Sequence, residues 1–74
     1  MTVNEYDAII ADIESNLEGA GYHIDIMMAN GSIFRDCAAH RRNGSVVKVI
    51  VNGDPAIATW IAIGAIAAVA LCDL

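Results

Sequence analysis

The C-terminal quarter of the chain, residues 55–72, contains no charged residue over eighteen consecutive positions. A run of this kind has to be buried, either in a protein core or in a lipid bilayer. As a helix it would be about 27 Å long, slightly less than the roughly 30 Å hydrocarbon core of a membrane. Asp54 and Asp73 flank the run, and neither flank supplies the Lys or Arg that anchors a membrane span. The sequence therefore predicts a buried helix over 55–72, with a single-pass membrane protein as the alternative.

The length of 74 residues is that of a single domain, 1–74. A domain this small buries only about 60% of the surface of its unfolded chain. Cys37 and Cys72 lie among apolar neighbours, which favours two buried free thiols over a disulfide. The first ten residues lack the basic and apolar segments of a signal peptide. We therefore expect a cytoplasmic location, in a bacterial host if the protein is phage-encoded.

The first predicted element is an amphipathic helix near the N-terminus. Its apolar residues recur at helical spacing on one face, and they are Tyr6, Ile9, Ile10, Ile13 and Leu17. Thr2 and Glu5 have the spacing of a capping box, which predicts the start of the helix, and Asn4 is the alternative N-cap. Gly19 and Gly21 predict its end, because glycine adopts the left-handed C-cap conformation without a steric penalty.

A hairpin is predicted next. The sequence alternates up to Asn30-Gly31, which is a strong signal for a two-residue turn. The cross-strand pairs that such a turn predicts are Met28 with Ile33, Ile26 with Arg35, Asp25 with Asp36, and Ile24 with Cys37.

The second hairpin can close in two registers around Arg42-Asn43-Gly44. A two-residue loop would direct Lys48 towards the core. A three-residue loop with Gly44 in the left-handed conformation directs Val47, Val49 and Val51 there instead. A one-residue slip moves every side chain to the other face, so burial favours the three-residue loop.

The predicted sheet has one apolar inner face, on which Arg35 is the only charge. The inner residues are Ile24, Ile26, Met28, Ile33, Cys37, Ala39, Val47, Val49 and Val51. Asn52-Gly53 ends the sheet, and Asp54 and Pro55 suit the N-cap and first turn of a following helix. The predicted fold class is α+β, a two-layer sandwich of helix, three-stranded antiparallel meander and helix (αβββα).

The bulky residues of the predicted helix over 55–72 are not confined to one face. Ile63, Ile66 and Val69 lie away from the side that would cover the sheet. Because a 74-residue monomer cannot surround a helix, we expect these three residues to form a self-association surface. A homodimer is the economical arrangement, since a symmetric contact uses one patch twice.

Charge is distributed unevenly along the chain, whose net charge is −5. No Lys or Arg precedes Arg35, and phosphate contacts need cations, so direct binding of nucleic acid is not expected. The acidic residues of the first helix are expected instead to bind a protein partner with a basic surface, as a nucleic-acid mimic does. This acidic face consists of Glu5, Asp7, Asp12, Glu14 and Glu18.

The outer face of the predicted sheet is a second candidate surface for protein binding. Large apolar side chains there are bordered by charged ones, as in the core and rim of an interface. The residues of this open sheet face are Asp25, Met27, Phe34, Asp36 and Ile50.

Chemistry-bearing residues are few. Asp25 and Asp36 with His23 could bind a metal ion or share a proton, but spacing specifies no third ligand, and we predict no metal and no cofactor. His40-Arg41-Arg42 is a short basic cluster that most resembles a polar turn. Neither cysteine has an adjacent base and no glycine loop could cradle phosphate, so the chain is not expected to be an enzyme.

The predicted order of elements resembles that of the double-stranded RNA-binding domain. Val51-Asn52-Gly53 ends a strand, and the segment AAVALCDL (67–74) is similar to the last helix of that family. Where the family has a lysine cluster, this chain has Asp54-Pro55-Ala56-Ile57-Ala58. The resemblance implies the αβββα fold without the phosphate contacts that duplex RNA requires.

In size and acidity the chain is also similar to small phage-encoded inhibitors of bacterial defence, anti-CRISPR proteins among them. Some of those proteins occupy the nucleic-acid groove of their target with an acidic face. This resemblance implies a non-enzymatic inhibitor or adaptor that blocks a basic nucleic-acid-binding surface of a protein partner.

Overall fold

The computed structural model describes residues 1–17 and 21–72. Within these ranges the chain forms one α-helix, five β-strands and one 3-10 turn. The elements in chain order are α1 (Val3–Ser15), β1 (Ile24–Met28), β2 (Ile33–Asn43), β3 (Val46–Val51), β4 (Ile57–Ala62), the 3-10 turn (Ile63–Ala65) and β5 (Ile66–Leu71). The predicted αβββα sandwich is therefore wrong, and so is the helix over 55–72. The order of elements on which the likeness to the RNA-binding domain rests is not the order observed.

Helix α1 begins with the predicted capping box. Thr2 Oγ1 accepts from the Glu5 amide at 3.0 Å, and the Thr2 amide donates to Glu5 Oε1 at 2.7 Å. Two otherwise unpaired backbone donors are satisfied in this way. The helix ends at Ser15 with Asn16 as the C-cap, and the predicted stop at Gly19 lies outside the described residues. Tyr6 is the residue of α1 that is fully buried.

The strands form one antiparallel sheet in the order β4-β3-β2-β1-β5. Its two edge strands, β4 and β5, are joined by Ile63–Ala65 alone. At about 2 Å of rise per residue, this 3-10 connection spans about 8 Å. The edges of a flat five-stranded sheet would lie about 19 Å apart. The sheet must therefore curl until the end of β4, beside the β2–β3 turn, approaches the start of β5, beside the β1–β2 turn.

The concave face of the curled sheet holds the core, and α1 contributes Tyr6 to it. The fully buried residues are Tyr6, Ile24, Ile26, Cys37, Val47, Val49, Ile61, Ile63 and Ile66. The inward placement of Val47 and Val49 is confirmed, and Val51 packs against the same cluster. The predicted buried thiol at Cys37 is also confirmed.

The first hairpin departs from the predicted register because β2 contains a bulge. The pair Ile24–Cys37 is confirmed, but Ile26 lies opposite Phe34 and Met27 opposite Ile33. Two residues of β2 thus face the single residue Asp25, as in a β-bulge. Phe34 consequently packs against the core, and Ile33 is exposed, which reverses both predicted orientations.

The second hairpin keeps the predicted facing but not the predicted loop. Cys37 lies opposite Val51, which directs Val47, Val49 and Val51 to the same face as Cys37, yet Asn43 lies opposite Val46 across a two-residue Gly44-Ser45 turn. A second irregularity between Ala38 and Arg41 absorbs the difference. Gly44 has φ +61°, the left-handed conformation that glycine adopts most readily.

Residues 57–71 form strands because their bulky residues alternate. Positions 57, 59, 61 and 63 are all β-branched (Ile, Thr, Ile, Ile), and such side chains favour extended backbone. Ile63 and Ile66 are each 1% exposed, and Val69 packs against the core. Of the residues expected to mediate self-association, the chain itself buries Ile63 and Ile66 and partly buries Val69. In the described part of the chain, no helix has both the length and the hydropathy needed to cross a membrane.

Matched substitutions distinguish this fold from a helical C-terminal segment. Ile63→Val removes one methylene group from a buried side chain, and Ile57→Val removes one from a side chain that is 58% exposed. In urea denaturation we expect Ile63→Val to lower the free energy of unfolding by about 1 kcal/mol. Ile57→Val should change it by less than about 0.5 kcal/mol. A helix over 55–72 with Ile57 against the sheet would give the opposite order.

Candidate functional site

The acidic residues of α1 lie on its exposed side, but most have an intramolecular role. Glu5 completes the capping box. Asp7 accepts two hydrogen bonds from Arg42, Nε to Oδ1 and Nη2 to Oδ2, both at 2.8 Å. This pairing holds the pKa of Asp7 below its ordinary value. Glu14 Oε1 accepts from the Tyr22 hydroxyl at 2.9 Å.

The remaining members of the predicted acidic face are Asp12 and Glu18. Asp12 is exposed, and its carbonyl accepts from the side chains of Ser15 and Asn16. Glu18 lies outside the described residues. The predicted surface is thus exposed, but three of its four described carboxylates also serve to hold the fold together.

The bulge in β2 brings together the two aspartates that the sequence placed opposite each other. The Asp36 amide donates to Asp25 Oδ1 at 2.9 Å, and Asp36 has φ +55°. Asp25 also lies 3.7 Å from Arg35 Nη1. A non-glycine residue in the left-handed region is uncommon, and the hydrogen bond to Asp25 supports the backbone in that conformation.

A small polar cluster surrounds the Asp36 carboxylate. His23 Nδ1 lies 2.5 Å from Asp36 Oδ1, and the Cys72 thiol donates to the same oxygen at 3.9 Å. Asn52 Nδ2 lies 3.3 Å from His23 Nδ1. In the described ranges, no three His, Cys, Asp or Glu side chains are arranged to hold a metal ion. The hydrogen bonds of the cluster join the strand ends around the bulge, and this structural role accounts for its polar side chains.

The other residues of the predicted open sheet face are divided by the bulge. Met27 is half-buried and pairs across the sheet with Ile33 and Ala68. Phe34 lies on the core side, as described above. Ile50 remains on the outer face, where it lines a groove. The predicted patch therefore does not exist as one continuous surface.

His40 lies on β2, at the junction of the sheet with α1. Its ring centroid is 4.6 Å from that of Tyr22, and its carbonyl accepts from the Tyr6 hydroxyl at 3.0 Å. Burial lowers the pKa of His40, with Glu14 opposing the shift. Burial likewise raises the pKa of Tyr6 to about 12. This part of the molecule is a packed junction between helix and sheet, beside a cavity of about 490 Å³.

The main surface that sequence reasoning missed is a groove on the outer face of β2, β3 and β4. We call it the Trp60 groove; its volume is about 850 Å³. The lining residues are Arg41, Arg42, Asn43, Val46, Lys48, Ile50 and Trp60. Trp60 is 64% exposed, and Lys48 Nζ lies 5.3 Å from its ring centroid, within cation–π range. Three of the four Lys and Arg residues of the chain lie in this groove.

Cross-strand register accounts for the composition of the Trp60 groove. Lys48 lies opposite Arg41 on one side and Trp60 on the other. Ile50 lies opposite Ala58, and Val46 opposite Ala62. A row with two cations and an aromatic ring thus lies between two apolar rows. The alternation at 57–63 was the signal that could have identified β4 and the outward direction of Trp60.

Comparison with protein-family models, with curated proteins and with solved structures finds no match for this chain.

The burial of His40 makes stability depend on pH. The folded state disfavours the charged imidazole, whereas the unfolded chain binds a proton with an ordinary pKa near 6.5. The unfolded state therefore binds more protons below about pH 6.5, and the free energy of unfolding should fall as the pH is lowered through this range. In urea denaturation between about pH 8 and pH 5.5, His40→Gln should show a shallower decline than the native chain. Parallel curves for the two proteins would contradict this role of His40.

Proposed function

We propose that this protein is a non-enzymatic binding protein, an inhibitor or adaptor, that recognises a protein partner through the Trp60 groove. The observation that carries the proposal is the exposure of Trp60, 64%, in the middle of an uncharged strand. Tryptophan is among the residues that contribute most to binding energy when an interface covers them. An exposed tryptophan bordered by cations and aliphatic side chains has the composition of an interface core with a polar rim.

The arrangement of residues on this surface supports the same class of function. Arg41, Lys48 and Trp60 form a strip across β2, β3 and β4, and Val46 and Ile50 lie on either side of Lys48 along β3. Blocking or bridging a partner requires only such a complementary patch on a small rigid domain. The antiparallel sheet supplies the rigidity, since every residue of the strip lies on a strand.

A second candidate surface is the exposed side of α1. Asp12 and Glu14 present carboxylates to solvent in the middle and last part of the helix, and the net charge of −5 favours approach to a basic partner. In this form of the proposal the protein covers a basic surface of its target, as nucleic-acid-mimicking inhibitors do. The two surfaces share the Asp7–Arg42 pair at their border.

Truncation of Trp60 tests the main proposal. Immobilised native protein and Trp60→Ala are used to capture partners from an extract of the source cells, and the captured protein is then purified and titrated. We expect Trp60→Ala to bind at least tenfold more weakly, a loss of about 1.4 kcal/mol or more. The matched control is Leu71→Ala, which removes an exposed apolar side chain (48% exposed) from the opposite edge strand. Equal binding by Trp60→Ala and the native chain would refute the proposal.

Charge reversal at Asp12 tests the acidic surface separately. Asp12→Lys replaces an exposed carboxylate. The backbone carbonyl of Asp12, and not its carboxylate, accepts the hydrogen bonds from Ser15 and Asn16. If a basic partner surface contacts α1, this variant should bind the captured partner several-fold more weakly, and its affinity should respond less to added salt. Binding that is unchanged at low and high salt would exclude the acidic face as a contact.

A further inference from the structure

The backbone of β4 has an open hydrogen-bonding edge. The Ile63 amide donates to the Ser45 carbonyl at 2.9 Å, which continues the ladder between β3 and β4. In an antiparallel pair, residues alternate between hydrogen-bonded and non-hydrogen-bonded positions. Counting back from Ile63, the residues of β4 whose N–H and C=O groups point away from β3 are Ala58, Trp60 and Ala62. No strand in the described part of the chain pairs with this side of β4.

This edge lacks the features that normally prevent a sheet from accepting another strand. Edge strands are usually protected by a charged side chain, a proline or a bulge. The six residues of β4, Ile-Ala-Thr-Trp-Ile-Ala, include no charge, no proline and no glycine, and the pairing of β4 with β3 is regular along its whole length. An added strand could therefore pair along the six uncharged residues of β4, which contain no bulge.

The charges beside the edge indicate the chemistry of the segment that would fit there. Side chains of an added strand on the outer face would lie next to Trp60, in the row of Arg41 and Lys48. The Lys48 ammonium group already lies over the Trp60 ring and so extends towards the edge. Arg42 is neutralised by Asp7, but Arg41 and Lys48 are both exposed. A carboxylate beside Trp60 would lie near the Lys48 ammonium group, with Arg41 one strand further away in the same row.

From this placement we infer that the β4 edge accepts an extended segment of the partner protein as an additional strand, with an acidic side chain beside Trp60. The inference rests on the proposed function and specifies its binding mode, which is β-strand addition. A second copy of this chain fits less well, because neither of its edge strands, β4 or β5, would place an acidic side chain beside Lys48.

Two synthetic peptides with blocked ends test the inference directly. Both alternate Thr and Val, and they differ only at the central residue, which is Glu in one and Lys in the other. Trp60 is the one tryptophan of the chain, so its fluorescence reports binding at this edge. We expect the Glu peptide to bind about tenfold or more tightly than the Lys peptide. We also expect slower amide exchange at Ala58, Trp60 and Ala62 in its presence.

Ala62→Pro and Ala62→Val are the matched variants. Ala62 has φ −71°, which suits proline, and its outward N–H makes no bond to β3, so Ala62→Pro should fold and lose peptide binding. Ala62→Val retains the N–H and should bind as the native chain does. Lys48→Glu should reverse the preference between the two peptides.

Several results would overturn the inference. They are no binding of either peptide up to about 1 mM, equal binding of both, and unimpaired binding by Ala62→Pro. Amide protection that grows with protein concentration alone would assign the edge to a second copy. Tighter binding of single-stranded oligo(dT) would assign the groove to nucleic acid.

Failure of the binding mode can be distinguished from failure of the proposed function. If a captured partner depends on Trp60 but binds Ala62→Pro normally, the function stands and strand addition is wrong. If the peptides behave as expected while no captured protein depends on Trp60, the edge has the inferred chemistry but the proposed function is wrong.

Discussion

The short connection between the two edge strands is the constraint on which the rest of the structure depends. Ile63–Ala65 joins β4 to β5 across the whole width of the sheet, and its ends are tied to both hairpins. The Ile63 amide donates to the Ser45 carbonyl in the β2–β3 turn, and the Ala65 carbonyl accepts from the Ala29 amide in the β1–β2 turn, at 2.8 Å. A connection this short cannot span a flat sheet, so the sheet curls around Ile63 and Ile66. One helix is then sufficient to close the concave side.

The irregularities of β2 follow from the same curl. A long strand at the centre of a strongly curved sheet must bend, and bulges allow a strand to bend while most of its hydrogen bonds are kept. The bulge at Arg35-Asp36 bends β2 against β1, and the one at Ala39-His40 bends it against β3. Each is stabilised by local contacts. Asp25 and His23 hold Asp36, and Tyr6 from the helix holds the carbonyl of His40.

Local sequence rules predicted the helix and the first three strands, though not their exact pairing, and failed for residues 55–72. The capping box at Thr2 and Glu5 depends on neighbours in sequence, and the inward valines of β3 depend only on alternation and burial. Residues 55–72 were different, because an uncharged run rich in alanine is compatible with helix, strand or membrane span. The rest of the sheet decides between these three structures, because β3 would have an unpaired edge if residues 57–62 did not form β4. That requirement is not visible within the run, although the β-branched residues at 57, 59, 61 and 63 agree with it.

Only part of the candidate site could be predicted from the sequence, because the predicted strand register holds on one side of the bulge and not on the other. The neighbouring positions of Asp25 and Asp36 follow from the hairpin and are observed, whereas Phe34 was assigned to the wrong face because a bulge shifts every residue beyond it. Trp60 could not be recognised at all while its segment was read as a helix. Its role depends on Lys48 and Arg41, which lie 12 and 19 residues away in sequence and meet it only through strand pairing.

The distribution of charge on the folded chain is more informative than its sum. The chain is acidic overall, which favours a basic partner. Yet Glu5, Asp7 and Glu14 are engaged within the molecule, and Arg42 is neutralised by Asp7. The exposed cations Arg41 and Lys48 lie together, beside an exposed tryptophan and an unprotected strand edge. Charges further from a bound partner than about a Debye length, roughly 8 Å at physiological salt, are largely screened. A partner at this end of the sheet therefore meets a positive and apolar surface, although the protein as a whole is negative. A segment that combines extended backbone with a carboxylate matches two of these features, the strand edge and the cations.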